Sequence, residues 1–501
     1  MVNKLKFFTN DSSSIIDNNS TINHIVSLLL LFSFILIPFD DLPYFTQLGN
    51  ISRRAAIYPL IIIIAILFFL SLKKLKIFFQ PCIENFILII FYIWVITSAI
   101  INISTIFNNF FKGASGFSKA AIHFTSLTLV ILIYYGVQFI LSQKNIRLIH
   151  IRTAITISFI PVILVSSIEI LNLLNVFDFS SLLSKITYYL NLQLRGFVYG
   201  GRVRGVSAEA SYLGMYCAFI FPWLLSYLYI HTTKLKQILS SIALLFLTLV
   251  VVTTKSRTAT ILLVFELVCI TGLFLLFYKN IKAKIMTLSI TIILGVSLVL
   301  YPTLIDKVTT YCNNRTSVSE SPTDEPEKTD NKNQSNTSSQ YNVSTIISSV
   351  ADDNNLSNIA RSAMQNSALK IGIDNPIFGV GIGQFAFNFS DYIKESDLRS
   401  HEVQVWLDNE NPVWPPVHSL YHRFVAETGF IGALLYICFI FIICLKLFIK
   451  IIKEKKDTWG IFLLVSYASI AIGSLTIDTF LLTHFWLMSG IIVCYNKKQI
   501  N

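Results

Sequence analysis

Charge is what this chain has least of. Only 13% of its 501 residues are Asp, Glu, Lys or Arg, whereas 54% are hydrophobic and the mean hydropathy is +0.64. A soluble domain carries about 25% charged residues, so this composition excludes an ordinary water-soluble fold and indicates a membrane protein. Cysteine is sparse as a framework. Of seven, at positions 82, 217, 269, 312, 438, 444 and 494, only Cys312 falls in a long polar segment, so no disulfide scaffold is indicated. No cleavable signal peptide is evident: some twenty polar residues precede the first apolar run, which is expected to stay as a helix. The formal charge is +11, yet the cations are scattered between apolar runs. They fit topology and anionic-lipid contact better than a nucleic-acid partner, and none is expected.

What is present is a series of apolar runs long enough to cross a bilayer, which takes about 20 residues each. Twelve are expected, near 22–39, 55–72, 83–103, 120–141, 152–173, 210–230, 237–253, 257–277, 285–304, 429–449, 459–477 and 479–495. The chain therefore divides into residues 1–304 with nine spans, a large external loop over 305–418, and residues 419–501 with three more spans. Lysines follow alternate runs: Lys73, Lys74 and Lys76, then Lys144, Lys234 and Lys236, Lys279 to Lys284, and Lys446 to Lys456. The positive-inside rule then puts both termini in the cytoplasm and the long loop outside. On that topology ten of the twelve Arg lie outside (53, 54, 195, 202, 204, 257, 315, 361, 399, 423). Topology needs only positive charge, whereas Arg presents a better fork to phosphate oxygens, although lipid headgroups would also attract it.

Within the loop, residues 313–344 are polar with almost no aliphatics and are expected to be disordered. Leu356, Ile359, Ala363, Leu369 and Ile371 predict an amphipathic helix ended by Asn375-Pro376 and carrying Arg361. Gly379-Val380-Gly381-Ile382-Gly383 lacks a preceding strand and a following helix, so it predicts a tight turn and not a nucleotide loop. Phe387, Phe389, Trp406 and Trp414 suggest packing against the bilayer or a partner surface.

Titratable groups crowd one stretch, Pro415 to Gly432, just before an apolar run: His418, His422, Arg423 and Glu427. On a helix His418 and His422 would share a face. Such groups at a membrane edge mark a site, with interfacial anchoring as the bland alternative. Asp40-Asp41 could hold a divalent metal or act as base, but no further acidic or His ligand is near in sequence. Glu169 and Glu266 fall inside apolar runs without a companion cation at that depth, which favours a structural role over an ion relay. Lys255 and Arg257 lie in a short turn, Thr253 to Ala259, whose hydroxyls also suit phosphate, with a snorkelling anchor pair as the alternative.

Taken in order, these elements are Arg202-x-Arg204-Gly205-x-x-x-Glu209-x-Ser211 before a span, Ser256-Arg257-Thr258-Ala259 in a short outer turn, and Arg361 upstream of Asn375-Pro376-x-x-Gly379-x-Gly381. Last come His418-Ser419, nine residues, Gly429, two residues and Gly432. The set resembles the O-antigen ligase and O-antigen polymerase superfamily. The resemblance implies an all-α polytopic membrane protein of GT-C-like architecture, with about twelve transmembrane helices and one large periplasmic loop, in the bacterial inner membrane. It also implies a glycosyltransferase that moves a glycan from undecaprenyl pyrophosphate to a sugar hydroxyl at the periplasmic face, without metal or cofactor. Arg202, Arg204, Arg257 and Arg361 match the family's arginines and would neutralise the departing pyrophosphate, with Lys255 and Arg423 as auxiliaries. His418 would act as base, and Glu209 or Glu427 would orient it or hold sugar hydroxyls. Direct displacement implies inversion at the anomeric carbon.

The chain departs from the ligase pattern in two places: Arg-x3-Leu becomes Arg361-Ser-Ala-Met-Gln365, and the loop carries a low-complexity insert. Both argue against ligase activity, and the motif order with the first departure points to a Wzy-type polymerase acting on lipid-linked oligosaccharides, with a chain-length regulator as the partner the family implies. The ligase is the alternative. A flippase or exporter is a third possibility, disfavoured because the cations sit at one face and not along a path through the bilayer.

Overall fold

A computed structural model describes residues 20–46, 49–74, 80–143, 145–198, 200–230, 232–319, 355–454 and 457–500. Among them the chain is nearly all helix, with one antiparallel pair of two-residue strands, Phe110–Phe111 and Ala114–Ser115. Eight helices are long and apolar enough to cross a membrane, from Ile83–Ile101 to Leu420–Lys453, and Thr21–Ile35, Ile57–Leu72 and Thr458–Gly473 are shorter apolar helices. Each overlaps an apolar run expected from sequence. The loop residues 320–354, which hold most of the stretch expected to be disordered, lie outside the described residues. Residues 313–319 close the long helix Ile281–Ser319.

The Leu420–Lys453 helix organises the site end of the bundle. It packs on Ile83–Ile101, on Leu356–Asp374 and on Thr458–Gly473. Sequence reading started this span at Gly429, and there its backbone breaks, with φ 71° and ψ 179°. A Cβ at Gly429 would stand 2.2 Å from the Ile377 carbonyl oxygen, so no other residue fits the conformation or the space. The break frees backbone groups, and the glycine turn after Pro376 takes them up. Phe430 N donates to Pro376 O (2.9 Å), Val380 N to Ala426 O (2.9 Å) and Gly381 N to Glu427 O (3.0 Å). The turn expected over 379–383 therefore exists to close a helix break, pinned from the other side by Ser98 Oγ on Phe378 O (2.6 Å).

The predicted loop helix is present as Leu356–Asp374, N-capped by Asn355 and C-capped by Asn375. Its buried face differs from the one expected. Ala360, Ala363, Met364, Ala368 and Ile371 are buried, while Leu356 and Leu369 are exposed. Small residues win because the helix lies almost on the backbone of its neighbour: a Cβ on Gly372 would come within 2.3 Å of Val425 Cγ1. The loop aromatics likewise depart from expectation. Phe385, Phe389 and Trp406 bury themselves with that helix in a small core of their own, and Phe111 meets Trp414 edge-on at 5.7 Å. They pack inward because the loop folds back onto the bundle instead of lying on a bilayer.

Candidate functional site

His418 stands outside any helix. Ser419 is the N-cap of the following helix and accepts from His422 N (3.4 Å), so His418 and His422 do not share a helical face as expected. The rigid Pro415-Pro416 leads in, and Val417 N donates to Asp478 Oδ2 at 2.7 Å. His418 itself has φ 59°, a left-handed conformation uncommon for a non-glycine residue and of the kind that functional positions retain. Its ring lies 5.4 Å from that of Trp406, and its carbonyl accepts from Gln365 Nε2 at 3.1 Å. Nε2 is buried without a hydrogen-bond partner among the described residues. Burial pushes the imidazole down to about 4; Asp478 and Glu209 oppose this and Arg361 adds to it. At neutral pH the ring is therefore an uncharged base with a vacant lone pair or N–H turned inward.

Three of the expected arginines, from separate parts of the chain, group together, with Arg202 and Arg257 acting on Arg361 and Arg361 in turn on His418. Arg202 is held by the turn 253–255: its Nε donates to Thr254 O (2.9 Å) and its Nη2 to Lys255 O (3.3 Å), while Val203 N donates to Thr253 O (3.1 Å). Arg257 is the first residue of the Arg257–Phe277 helix, behind the N-cap Ser256, whose side chain accepts from Ala259 N. Arg361 lies one turn before Gln365 on the Leu356–Asp374 helix, so both side chains face the same way. Burial lowers the pKa of Arg361, the charges of Arg257 and Arg202 lower it further, and Glu402 and Glu209 raise it. A guanidinium starts so high that it stays charged. These interactions, repulsive from the two arginines and attractive from the two glutamates, put Arg202, Arg257, Arg361 and Glu209 in one neighbourhood.

The remaining candidates are disposed differently. Arg204 turns away: its N donates to Glu169 Oε2 (3.0 Å) and its Nη1 to Ala208 O (3.2 Å). With Arg202 and Glu169 it lines a separate cavity of about 240 Å³. Glu169 is thereby a structural acceptor, since Gly205 N also donates to it (2.6 Å). Lys255 is exposed at the tip of its turn with φ 49°. Arg423 and Glu427 form a buried pair (3.2 Å) one helical turn apart. Arg423 also donates to Asp478 O (2.8 Å), lies 3.0 Å from His123 Nδ1, and covers the Phe480 ring at 4.4 Å. Asp40 and Asp41 are ion-paired with Arg54 and Arg53. Ala208 N donates to Asp40 (2.6 Å) and Gln193 N to Asp41 (2.8 Å), so the pair ties the loop 191–208 to the bundle. Burial nevertheless raises Asp40 to about 6.

Next to His418 in the chain, Val417 lines a cavity of about 290 Å³ together with Glu209, Arg423, Asp478, Asp40, Arg54, Lys119 and Trp414, whereas His418, Arg202, Arg257 and Arg361 do not line it. Three of its residues, Lys119, His123 and Asp478, carry no expectation from the sequence, nor does Lys112 behind it. Lys119 and His123 stand at i and i+4 near the start of the Gly116–Ser142 helix, and Lys119 Nζ sits 3.3 Å over the Trp414 ring. Lys112 Nζ clamps the loop by donating to Val405 O, Asn411 O and Val413 O, which fixes Trp414. Asp478 was visible as a lone acid between the last two apolar runs, and that isolation was the signal.

A neutral base, a cluster of fixed guanidinium groups and a polar, aromatic-walled cavity together suit an anionic leaving group and a hydroxyl nucleophile. Residues 242–437 match the O-antigen ligase family model. The O-antigen ligase match takes in Arg257, Arg361, Gln365, His418, Arg423, Glu427 and both glycines of the final motif, and stops short of Arg202, Arg204 and Glu209. It agrees with the resemblance carried by the motifs. No curated protein matches the chain.

Proposed function

We propose that this protein is an O-antigen polymerase of GT-C-like architecture with twelve spans, which joins undecaprenyl-pyrophosphate-linked repeat units at the periplasmic face of the inner membrane. The observation that carries this reading is the grouping, from four chain segments, of Arg202 with Glu209, of Arg257, of Arg361 and of His418, with Arg361 one helical turn from the Gln365 that binds the His418 carbonyl. In the proposed step the acceptor hydroxyl oxygen attacks the anomeric carbon of the donor sugar. The bond to the pyrophosphate oxygen breaks with its electron pair, and the hydroxyl proton passes to the uncharged His418. The arginines meet the charge that develops on the leaving group, where a fixed donor is worth about 3–4 kcal/mol. The configuration at the anomeric carbon of the donor sugar is thereby inverted. Lys255 flanks the arginine cluster as a secondary phosphate contact, and Arg423 with Glu427 holds the wall.

The family description favours one second reading, transfer of finished polymer to the lipid A core. Two observations weigh for polymerisation instead: Gln365 stands where the ligase pattern has Leu, and it binds the backbone of His418. The test is lipopolysaccharide banding in cells that carry His418→Ala or Arg361→Ala as the sole copy. Loss of polymerase gives core bearing a single repeat unit. Bare core with polymer left on the lipid carrier would make the protein a ligase, and a normal ladder from both variants would remove the assignment.

A further inference from the structure

The opposite end of the Leu420–Lys453 helix carries a second built cavity, of about 360 Å³, unrelated to the site above. Five lysines line it, Lys446, Lys450 and Lys453 from this helix and Lys497 and Lys498 from the end of Thr483–Asn496, against two carboxylates, Glu84 and Glu454. Lys446 is engaged by the buried Glu84 (2.8 Å) and Lys498 by Glu454 (3.3 Å), while Lys450 donates to Tyr495 O (2.9 Å) and Lys497 to the neutral Gln80 Oε1 (3.2 Å). Lys453 is exposed and makes no ion pair among the described residues, so the lining keeps a cationic surplus.

Asn496 also lines this cavity, and both polar atoms of its side chain, Nδ2 and Oδ1, are buried without a hydrogen-bond partner. Buried polar groups are nearly always satisfied, so an amide left open at both ends beside a cationic surplus calls for a ligand that accepts from nitrogen and is drawn by positive charge. A phosphate does both. The surroundings distinguish its source. Ile449 lines the same cavity, and Leu445, Phe448 and Ile452 beside it are exposed along the helix, so an apolar strip runs away from the lysines. A free phosphate has no use for that strip, whereas the acyl chains of a phospholipid would cover it.

We propose that this cavity binds the headgroup phosphate of an anionic phospholipid, with Lys453 and Lys497 as its cations and Asn496 Nδ2 as its donor. Basic pockets between helix ends are suited to such headgroups, and a lysine holds phosphate as a compact point charge. The site does not depend on the proposed glycan chemistry.

The experiment is native mass spectrometry of detergent-purified full-length protein, titrated with phosphatidylglycerol, phosphatidylcholine or inorganic phosphate. The expected result is at least a tenfold preference for phosphatidylglycerol over phosphatidylcholine. Asn496→Asp, which keeps the shape and adds repulsion, should reduce that binding at least tenfold, and the exposed Lys453→Gln severalfold, with unchanged elution in gel filtration. Should Asn496→Asp disturb elution, Lys453→Gln alone decides. Equal retention of both lipids, or undiminished binding by Lys453→Gln, would overturn the proposal. Displacement of the lipid by an equal concentration of inorganic phosphate would do so too, and would make this a free-phosphate site.

Discussion

The two ends of the Leu420–Lys453 helix both carry cations but hold them in opposite ways. At the site end Arg423 is buried, paired with Glu427, and bound to Asp478 and His123, and the histidine before the helix is locked in a left-handed turn. At the other end Lys453 is exposed, while Lys446 meets the buried carboxylate of Glu84 and Lys450 the Tyr495 carbonyl. A guanidinium can satisfy several acceptors while desolvated, and its planar fork fixes them relative to one another. An ammonium on a flexible stem stays hydrated and costs less to leave at a surface. The contrast teaches that rigidity is concentrated where chemistry is proposed, and that the far end needs only charge.

Substitutions at the site end are expected to break function first. His418→Ala and Arg361→Ala should each lower repeat-unit transfer by about 10²–10³-fold, read on membranes as loss of the lipopolysaccharide ladder with unchanged protein level. Arg423→Ala should act on the fold. Leaving Glu427 buried without its partner costs about 3–5 kcal/mol, visible as a large fall in the thermal transition of the detergent-solubilised protein. Lys453→Gln, at the other end, should leave that transition within a degree or two. A comparable fall in both would erase the contrast.

Smaller effects sharpen it. Gly429→Ala forces a side chain into a left-handed residue against the Ile377 carbonyl, and should cost about 1–3 kcal/mol in the same thermal assay. Gln365→Leu, which restores the ligase pattern but frees the His418 carbonyl, should slow transfer by about tenfold while leaving the thermal transition nearly unmoved; the hydrogen bond it removes is worth about 1 kcal/mol. The pH profile is the mildest test. His418 is held near 4, below the ordinary 6.5 of histidine, so the free-enzyme rate should stay flat from neutral pH down through 6.5 and fall only toward 4. Because the unfolded chain binds this proton more readily, the group's share of stability is present above 6.5 and is lost as pH drops toward 4. A rate limb at 6.5 would mean that the ring is not buried as described.

Much of the fold was legible because a bilayer leaves few options. Apolar runs of sufficient length must be helices, and their positions overlap the helices observed. The candidate site was half legible. Arg202, Arg257, Arg361 and His418 could be named because their spacing follows a pattern and because Arg and His are the residue types that the chemistry calls for. Lys112, Lys119 and His123 could not, since they match no motif and their partners lie hundreds of positions away. The apolar stripe of the loop helix was misjudged for a related reason. Periodicity weighs side-chain size, whereas the observed face is chosen by how closely two backbones approach.

The sequence by itself determined that the chain is helical and membrane-embedded, and which residue types stand ready near one face. Those properties follow from composition and local order, which any conformation of the chain would share. The tertiary structure alone decided that Arg204 binds Glu169 and Ala208, that Asp40 and Asp41 serve as ties, and that the His418 ring is buried and uncharged at neutral pH. Burial, partner choice and backbone strain belong to the packed state and have no counterpart in a list of residues.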